Sequence, residues 1–174
     1  RLKQEYGYYQ WSRISYIDSY LNTLSSFELR ESVVNTSNEL VDNISTKFDF
    51  CEQINCLLLG NVKSGKTGQM LGAISLMADK GYRLFLLLTT DNIDLQRQTY
   101  NRVKASLGDF NVISEKEEVL FEQVKLSKPT VIVLKKNTRV LKKWKDILVN
   151  TNVCHGLPLV IFDDEADAAS LNTK

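Results

Sequence analysis

Residues 54–67 read Ile-Asn-Cys-Leu-Leu-Leu-Gly-Asn-Val-Lys-Ser-Gly-Lys-Thr. This stretch is a short apolar run, then a glycine-bounded loop, then the start of an amphipathic segment. The apolar run predicts a buried strand, and the segment after the loop predicts a helix over about Lys66 to Lys80. Gly81 stands where the C-cap of that helix is expected. The order strand, loop and helix therefore begins an α/β pattern at residue 54.

The same alternation continues to the end of the chain. Further strands are predicted at the apolar runs Arg83–Leu88, Thr130–Leu134 and Leu159–Phe162. Helices are predicted over about 94–105, within the charged stretch 114–128, and over about 138–149. Nearly continuous apolar strands separated by helices are typical of a parallel sheet covered on both faces. Right-handed crossovers then place every loop that follows a strand at one edge of that sheet.

Residues 1–50 differ in character and predict a small helical segment that precedes an α/β lobe at 51–174. Six aromatic residues crowd its start: Tyr6, Tyr8, Tyr9, Trp11, Tyr16 and Tyr20. Ser25 and Glu28 have the spacing of a capping box, and apolar residues follow at near-helical spacing. The aromatic side chains could stack nucleic-acid bases, but packing in a core is the favoured interpretation.

The overall composition is that of an ordinary globular protein. The 174 residues are 43% hydrophobic and 25% charged, with a net charge of +1. This size suits one domain with a core of its own. A net charge near zero gives no global attraction to nucleic acid, so such a partner would need a local basic patch. No apolar run approaches the roughly 20 residues that span a bilayer, and no signal peptide is evident, so we expect a cytoplasmic location.

The cysteine and histidine content offers no common metal site. Cys51, Cys56 and Cys154 include no CxxC pair, and the single histidine, His155, cannot complete a zinc site with them. We expect reduced thiols of an intracellular protein that serve in packing, and a structural or incidental role for His155.

The loop within the opening stretch has the spacing GxxxxGK[ST] of a phosphate-binding P-loop, the Walker A motif. Its residues, which we predict to bind nucleotide, are Gly60, Asn61, Val62, Lys63, Ser64, Gly65, Lys66 and Thr67. Glycines let the backbone turn its N–H groups towards phosphate oxygens, and the following helix adds its positive end. Lys66 would reach the β- and γ-phosphates, and the Thr67 hydroxyl would ligate Mg²⁺.

A cluster of carboxylates follows the last predicted strand, in Leu159-Val-Ile-Phe-Asp-Asp-Glu-Ala-Asp167. A strand that carries aspartate to the sheet edge beside a phosphate loop supplies the second half of an NTPase site. Asp164 is favoured as the partner of Mg²⁺, with Asp163 as the alternative. Glu165 would polarise the attacking water as general base, and Lys66 is the other predicted catalytic residue. Clustered carboxylates repel each other, which favours a bound metal over a solvated acidic loop.

The letters Asp164-Glu-Ala-Asp167 spell the signature of DEAD-type helicases, and the layout resembles the first RecA-like lobe of superfamily-two helicases. Thr89, Thr90 and Gln96 match a motif of that superfamily that touches nucleic-acid backbone. The segments GNVKSGKT, DKGYRLFLLLTTDN and DDEADAASLNT are similar to the helicase-type ATPase portion of bacterial endonucleases that carry a Z-one domain. The resemblance covers residues 54–174.

This resemblance implies a DNA-dependent ATP hydrolase in a restriction or defence setting, with ATP and Mg²⁺ as cofactors. It also implies a second RecA-like lobe and a nuclease-type domain downstream. The chain starts at Arg1 without a methionine, and we expect it to be a fragment of a longer protein. One departure is that Gln53 lies only seven residues before Gly60, too close for the adenine-reading motif of DEAD-box proteins. The DEAD letters therefore do not imply an RNA helicase.

A basic stretch follows the third apolar strand: Lys135, Lys136, Arg139, Lys142, Lys143 and Lys145. It could clamp a phosphate backbone or form a solvated helix face, and both interpretations stay open. Trp144 has the spacing of a buried stripe and is predicted to lie in the core.

Two other functions stay open. A P-loop phosphotransferase would need lid arginines, and none is evident between Asp167 and Lys174. A non-catalytic nucleotide-sensing module would bind ATP in order to dock a partner. A single lobe without arginine fingers is expected to hydrolyse ATP poorly.

Overall fold

The computed structural model describes residues 15–56, 58, 65–124, 126 and 128–164. The predicted α/β class is confirmed within these residues, because four strands form one all-parallel sheet with helices on both of its faces. The strands are β1 Leu84–Thr89, β2 Asn111–Ser114, β3 Thr130–Lys135 and β4 Leu159–Asp163. Their order across the sheet is β2-β3-β1-β4.

Six helices and one short 3-10 turn surround this sheet in the described part of the chain. They are α1 Tyr16–Leu21, α2 Phe27–Lys47, α3 Lys66–Asp79, α4 Ile93–Ser106, α5 Glu118–Gln123, α6 Thr138–Asn150 and the turn Asn152–Cys154. Asparagine side chains cap two of them: Asn92 accepts from the N–H groups that start α4, and Asn137 does the same for α6.

Three local predictions differ from the structure. Ser26, not Ser25, caps α2, because its hydroxyl accepts from the N–H of Leu29 and donates to Glu28. Strand β2 is not predicted from the sequence, because only four residues pair and only two of them are buried. Of the predicted strand at 54–59, positions 54–56 and 58 lie in irregular backbone, and the others lie outside the described residues. The described positions form no ladder with a described strand, and a strand needs a ladder partner.

The two faces of the sheet bury alternate residues of each strand. Phe85 and Leu87 face a core that contains much of α3, whereas Leu84 and Leu86 face a second core around Trp144. Trp144 is 1% exposed, which confirms its predicted place in the core.

The N-terminal helices share the first of these cores with the sheet. Tyr16 and Tyr20 of α1 and Val33 and Val41 of α2 are buried in the same cluster as Leu71 of α3. For Tyr16 and Tyr20 the predicted core packing is therefore confirmed, and the other four aromatic residues of the crowd lie outside the described residues. The described part of the predicted N-terminal segment is thus packed directly on the lobe.

Strand β4 is the most exposed strand of the sheet. Leu159 and Ile161 are 43% and 54% exposed, although their register partners Leu84 and Leu86 on β1 are buried. β4 pairs with β1 on one side only among the described strands. Among the described helices, none is long and apolar enough to cross a membrane.

Candidate functional site

The start of α3 holds the described part of the predicted phosphate loop. Gly65 is its N-cap residue and has left-handed backbone, with φ 69° and ψ 35°, a conformation that favours glycine. No side chain caps this helix start among the described residues, and its first turn carries no acidic residue. The first N–H groups of a helix have no partner within the helix, so they suit an anion. Gly60, Asn61, Val62, Lys63 and Ser64 lie outside the described residues.

Helix α3 begins at the carboxyl edge of the sheet. Its 14 residues span about 21 Å at about 1.5 Å per residue. The six residues of β1, which follow after a short turn, span about 20 Å at about 3.3 Å per residue. Because α3 packs on the sheet and runs back against β1, Lys66 and Thr67 lie level with the end of β1.

The end of β4 brings two aspartates to the same edge. Asp163 stands opposite Leu88 of β1, and the N–H of Asp164 donates to the carbonyl of Leu88 at 3.0 Å. Leu88 packs on the Trp144 side of the sheet, whereas Val160 and Phe162 pack on the α3 side. Strand alternation therefore puts Asp163 on the Trp144 side, and Asp164 follows in the turn directly after β4.

Lys66, Asp163 and Asp164 line one groove of about 1020 Å³. Its other walls are largely apolar and include Met70, Phe48 and Leu157. The start of the predicted phosphate helix and the acidic strand end therefore border the same groove, which also extends along β4 to Leu157 and Tyr82.

The oxygen donors near this groove suit Mg²⁺ in their chemistry. Thr67 offers a half-buried hydroxyl and Asp164 a half-buried carboxylate, the ligand types that Mg²⁺ accepts. In the described part of the chain, no group of three or more His, Cys, Asp or Glu residues is arranged to hold a metal. Glu165, the predicted general base, and Asp167 lie outside the described residues.

The three residues predicted to touch nucleic acid are placed around the end of β1. Thr89 is 3% exposed and its hydroxyl donates to the carbonyl of Leu134 at 3.3 Å. Gln96 is also buried, and its amide donates to the carbonyl of Val133 at 3.2 Å. The half-buried Thr90 has a hydroxyl with no hydrogen-bond partner among the described residues. In this conformation Thr89 and Gln96 tie the sheet edge together, and nucleic-acid contact by the three residues stays a prediction.

The basic stretch after β3 divides into two groups. Three of its members form ion pairs: Lys135 with Glu115 at 3.4 Å, Lys136 with Asp163 at 2.8 Å, and Lys143 with Glu118. The other three, Arg139, Lys142 and Lys145, are exposed on α6.

The role of Lys136 in holding the acidic strand end is not predicted from the sequence. A signal for it exists in retrospect, because Lys135 and Lys136 directly follow an apolar parallel strand. That position places them at the carboxyl edge of the sheet with the other strand ends.

Comparison of the chain with protein-family models, with curated proteins and with solved structures gave no match. The resemblance to superfamily-two helicases therefore depends on the quoted motifs, and the function has to be argued from the site.

Cys51 and Cys56 line the groove that Lys66 and Asp164 also line, whereas Cys154 and His155 are not among its lining residues. Cys51 and Cys56 are exposed, so the predicted packing role is wrong for these two. Cys154 is buried as predicted, and burial raises the pKa of its thiol. His155 is exposed and its Nε2 lies 2.6 Å from the carbonyl oxygen of Val149 at the end of α6. This contact agrees with a structural role for His155.

Proposed function

We propose that this chain is the nucleotide-binding lobe of a Mg²⁺-dependent, helicase-type ATPase that acts on DNA. One observation carries the proposal: Lys66, at the start of the predicted phosphate helix, and Asp164, at the end of β4, line the same groove. A cationic helix start and a carboxylate that border one groove suit a nucleoside triphosphate with its divalent metal, which brings both charges together. The motifs favour a RecA-like P-loop fold and an endonuclease of the restriction or defence type.

In this proposal the phosphate loop and Lys66 hold the β- and γ-phosphates, and Thr67 and Asp164 hold Mg²⁺. Bound Mg²⁺ would neutralise charge on the phosphates and help to orient them. Glu165 follows Asp164 directly and would accept a proton from the attacking water.

The division of the two aspartates favours Asp164 as the metal partner. Asp163 lies on the Trp144 side of the sheet, where the ammonium of Lys136 already neutralises its carboxylate at 2.8 Å. Asp164 directly follows β4 and lines the groove that Lys66 also lines. A cation binds more strongly to a carboxylate that has no other cation beside it.

The decisive experiment measures binding of the Mg²⁺ complex of a non-hydrolysable ATP analogue by calorimetry. Lys66→Ala should weaken binding by about tenfold or more, because a charge-assisted hydrogen bond to phosphate is lost. Lys80→Ala is the matched control, since it removes an exposed lysine just beyond the opposite end of α3. Equal binding by the wild type and Lys66→Ala, or no binding by the wild type at millimolar ligand, would overturn the proposal.

The wider function has its own test in the full-length protein. ATP hydrolysis should be faster with DNA present, and free phosphate should be the only phosphoryl product. Transfer of the γ-phosphate to a small acceptor would instead support a phosphotransferase. Hydrolysis that DNA leaves unchanged would contradict a DNA-dependent motor.

A further inference from the structure

The first turn of α3 is held from outside by a tyrosine of α1. Tyr20 is 2% exposed, and its hydroxyl donates to the carbonyl of Gly68 at 2.8 Å. Gly68 directly follows Thr67 in the helix. The contact joins residues 48 positions apart and is buried, so water does not compete for it.

A second contact holds the next residue of the same turn. The side-chain amide of Gln69 donates to the hydroxyl of Ser32 on α2 at 3.0 Å. Gln69 is itself buried, at 9% exposed. The two residues directly after Lys66 and Thr67 are therefore both hydrogen-bonded to side chains of the N-terminal helices.

The rest of α3 is held by the same two helices. Gly72 approaches α2 so closely that a Cβ there would lie 2.3 Å from Cγ1 of Val33. At the far end, the carboxylate of Asp79 accepts from the backbone N–H groups of Tyr16 and Ile17 at 2.8 and 3.0 Å. Helix α3 is thus fixed along its length, and the contacts of Tyr20 and Ser32 are those at the predicted phosphate-binding end.

The Tyr20 hydroxyl is suited to a permanent donor role. Burial raises its pKa above the ordinary value of 10.0, with the nearby charge of Arg102 acting in the opposite direction. The hydroxyl therefore keeps its proton through the neutral pH range. A Cβ on Gly68 would lie 3.4 Å from this hydroxyl oxygen, so the turn and the ring are in close contact.

We propose that Tyr20 is a positioning residue for the phosphate-binding turn, through which the N-terminal helices set the placement of Lys66 and Thr67. This inference rests on the proposed function of the groove. If the Tyr20 contact is lost, the first turn of α3 opens more often. Nucleotide affinity then falls in proportion to the fraction of molecules with the turn in place.

The test compares Tyr20→Phe with Tyr100→Phe in two measurements. Tyr100→Phe is the matched control, because Tyr100 lies on α4 and its hydroxyl donates to Glu117 at 3.2 Å, away from the first turn of α3. Without nucleotide, hydrogen exchange at the amides of residues 69–73 should be about fivefold faster in Tyr20→Phe. Affinity for the Mg²⁺ complex of the ATP analogue should be about fivefold weaker. The control should match the wild type in both measurements.

Ser32→Ala provides a second variant should Tyr20→Phe fail to fold. It removes the acceptor of the Gln69 amide on the exposed side of α2, and it should shift both measurements in the same direction. Unchanged exchange in both variants would overturn the inference. Faster exchange with unchanged affinity would also overturn it, because Tyr20 would then stabilise α3 without positioning the site. Failure of the proposed function is distinguished by the wild type, which would then bind no nucleotide.

Discussion

The ammonium of Lys136 lies 2.8 Å from the carboxylate of Asp163, joining the ends of β3 and β4 across β1. The Lys136 side chain is only 12% exposed, and its backbone N–H donates to the carbonyl of Thr89 on β1 at 2.7 Å. Lys136 therefore ties three parallel strands together at the edge where they end. The pair also distinguishes two adjacent aspartates that look equivalent in the sequence.

This pair predicts different outcomes for the two aspartates. Asp164→Asn should weaken Mg²⁺-dependent binding of the ATP analogue by about tenfold or more, because a metal-binding charge is lost. Asp163→Asn should leave that affinity within about threefold but lower the free energy of unfolding by about 1 kcal/mol, through the weakened contact with Lys136. Calorimetry and urea denaturation measure the two effects. The reverse pattern would assign the metal to Asp163.

Packing of α3 on α2 predicts a cost for the smallest possible substitution at Gly72. In Gly72→Ala the new methyl group would lie 2.3 Å from Cγ1 of Val33 and 2.8 Å from the hydroxyl of Ser37. Alanine favours a helix over glycine by up to about 1 kcal/mol, but overpacking costs about 1–3 kcal/mol. We expect a net loss of stability in urea denaturation.

Two further variants check that this loss comes from the contact. Gly108→Ala should be close to neutral, because in the described part of the chain nothing beyond its adjacent residues lies within 4 Å of the position that the methyl group would take. Gly72→Ala should cost less stability in a Val33→Ala background than in the wild type, because the side chain that the new methyl group would meet is then smaller. A Gly72→Ala protein as stable as the wild type would mean that α2 and α3 are not in close contact.

The thiols should react in two classes. Cys51 and Cys56 are exposed, whereas Cys154 is buried and its pKa is raised by burial, so less of it is thiolate at neutral pH. With an aromatic disulfide reagent, two thiols should react quickly and the third slowly until denaturant is added. Cys154→Ala should remove the slow phase alone. Three equal rates would place Cys154 at the surface.

Acid should weaken a contact between α5 and α6. A hydrogen bond from Lys143 lowers the pKa of Glu118 from its ordinary value of 4.5. Since the folded-state pKa lies below the unfolded one, the stabilisation is present above about pH 4.5 and is lost as the pH falls through the folded-state pKa.

Lys143→Met should therefore differ from the wild type most above about pH 4.5, by less than about 1 kcal/mol from this pair because both groups are partly exposed. Part of any loss will not depend on pH, because Lys143 also donates to the carbonyl of Glu115 at 3.0 Å. Denaturation curves from pH 3 to pH 7 for Lys143→Met, in the wild type and in Glu118→Gln, separate the contact with Glu118 from the contact with the carbonyl of Glu115. If Lys143→Met lowers the stability of the wild type equally at every pH, the ion pair with Glu118 is not the source of the pH dependence.

Local features of the sequence predict much of the sheet and the neighbourhood of the site. Strands β1, β3 and β4 coincide with the predicted apolar runs, and α3, α4 and α6 with periodic segments, because both signals lie in adjacent residues. The shared groove of Lys66 and Asp164 follows from topology, since parallel strands end at one edge and the helix before β1 starts there. By contrast, β2 and the irregular backbone at 54–56 depend on which neighbours a segment finds, and their own residues do not specify this.

What the sequence determined by itself was therefore the α/β class and the types of side chain that gather at one edge of the sheet. Only the tertiary structure decided which partners those side chains have. Asp163 forms an ion pair with Lys136, Thr89 and Gln96 donate to backbone carbonyls of β3, and Tyr20 donates to the carbonyl of Gly68. Each of these contacts joins residues far apart in the chain and depends on the angle and depth at which whole elements pack. A pattern of neighbouring residues carries no information about that geometry, because a polar side chain is satisfied by whichever partner the packed fold brings within reach.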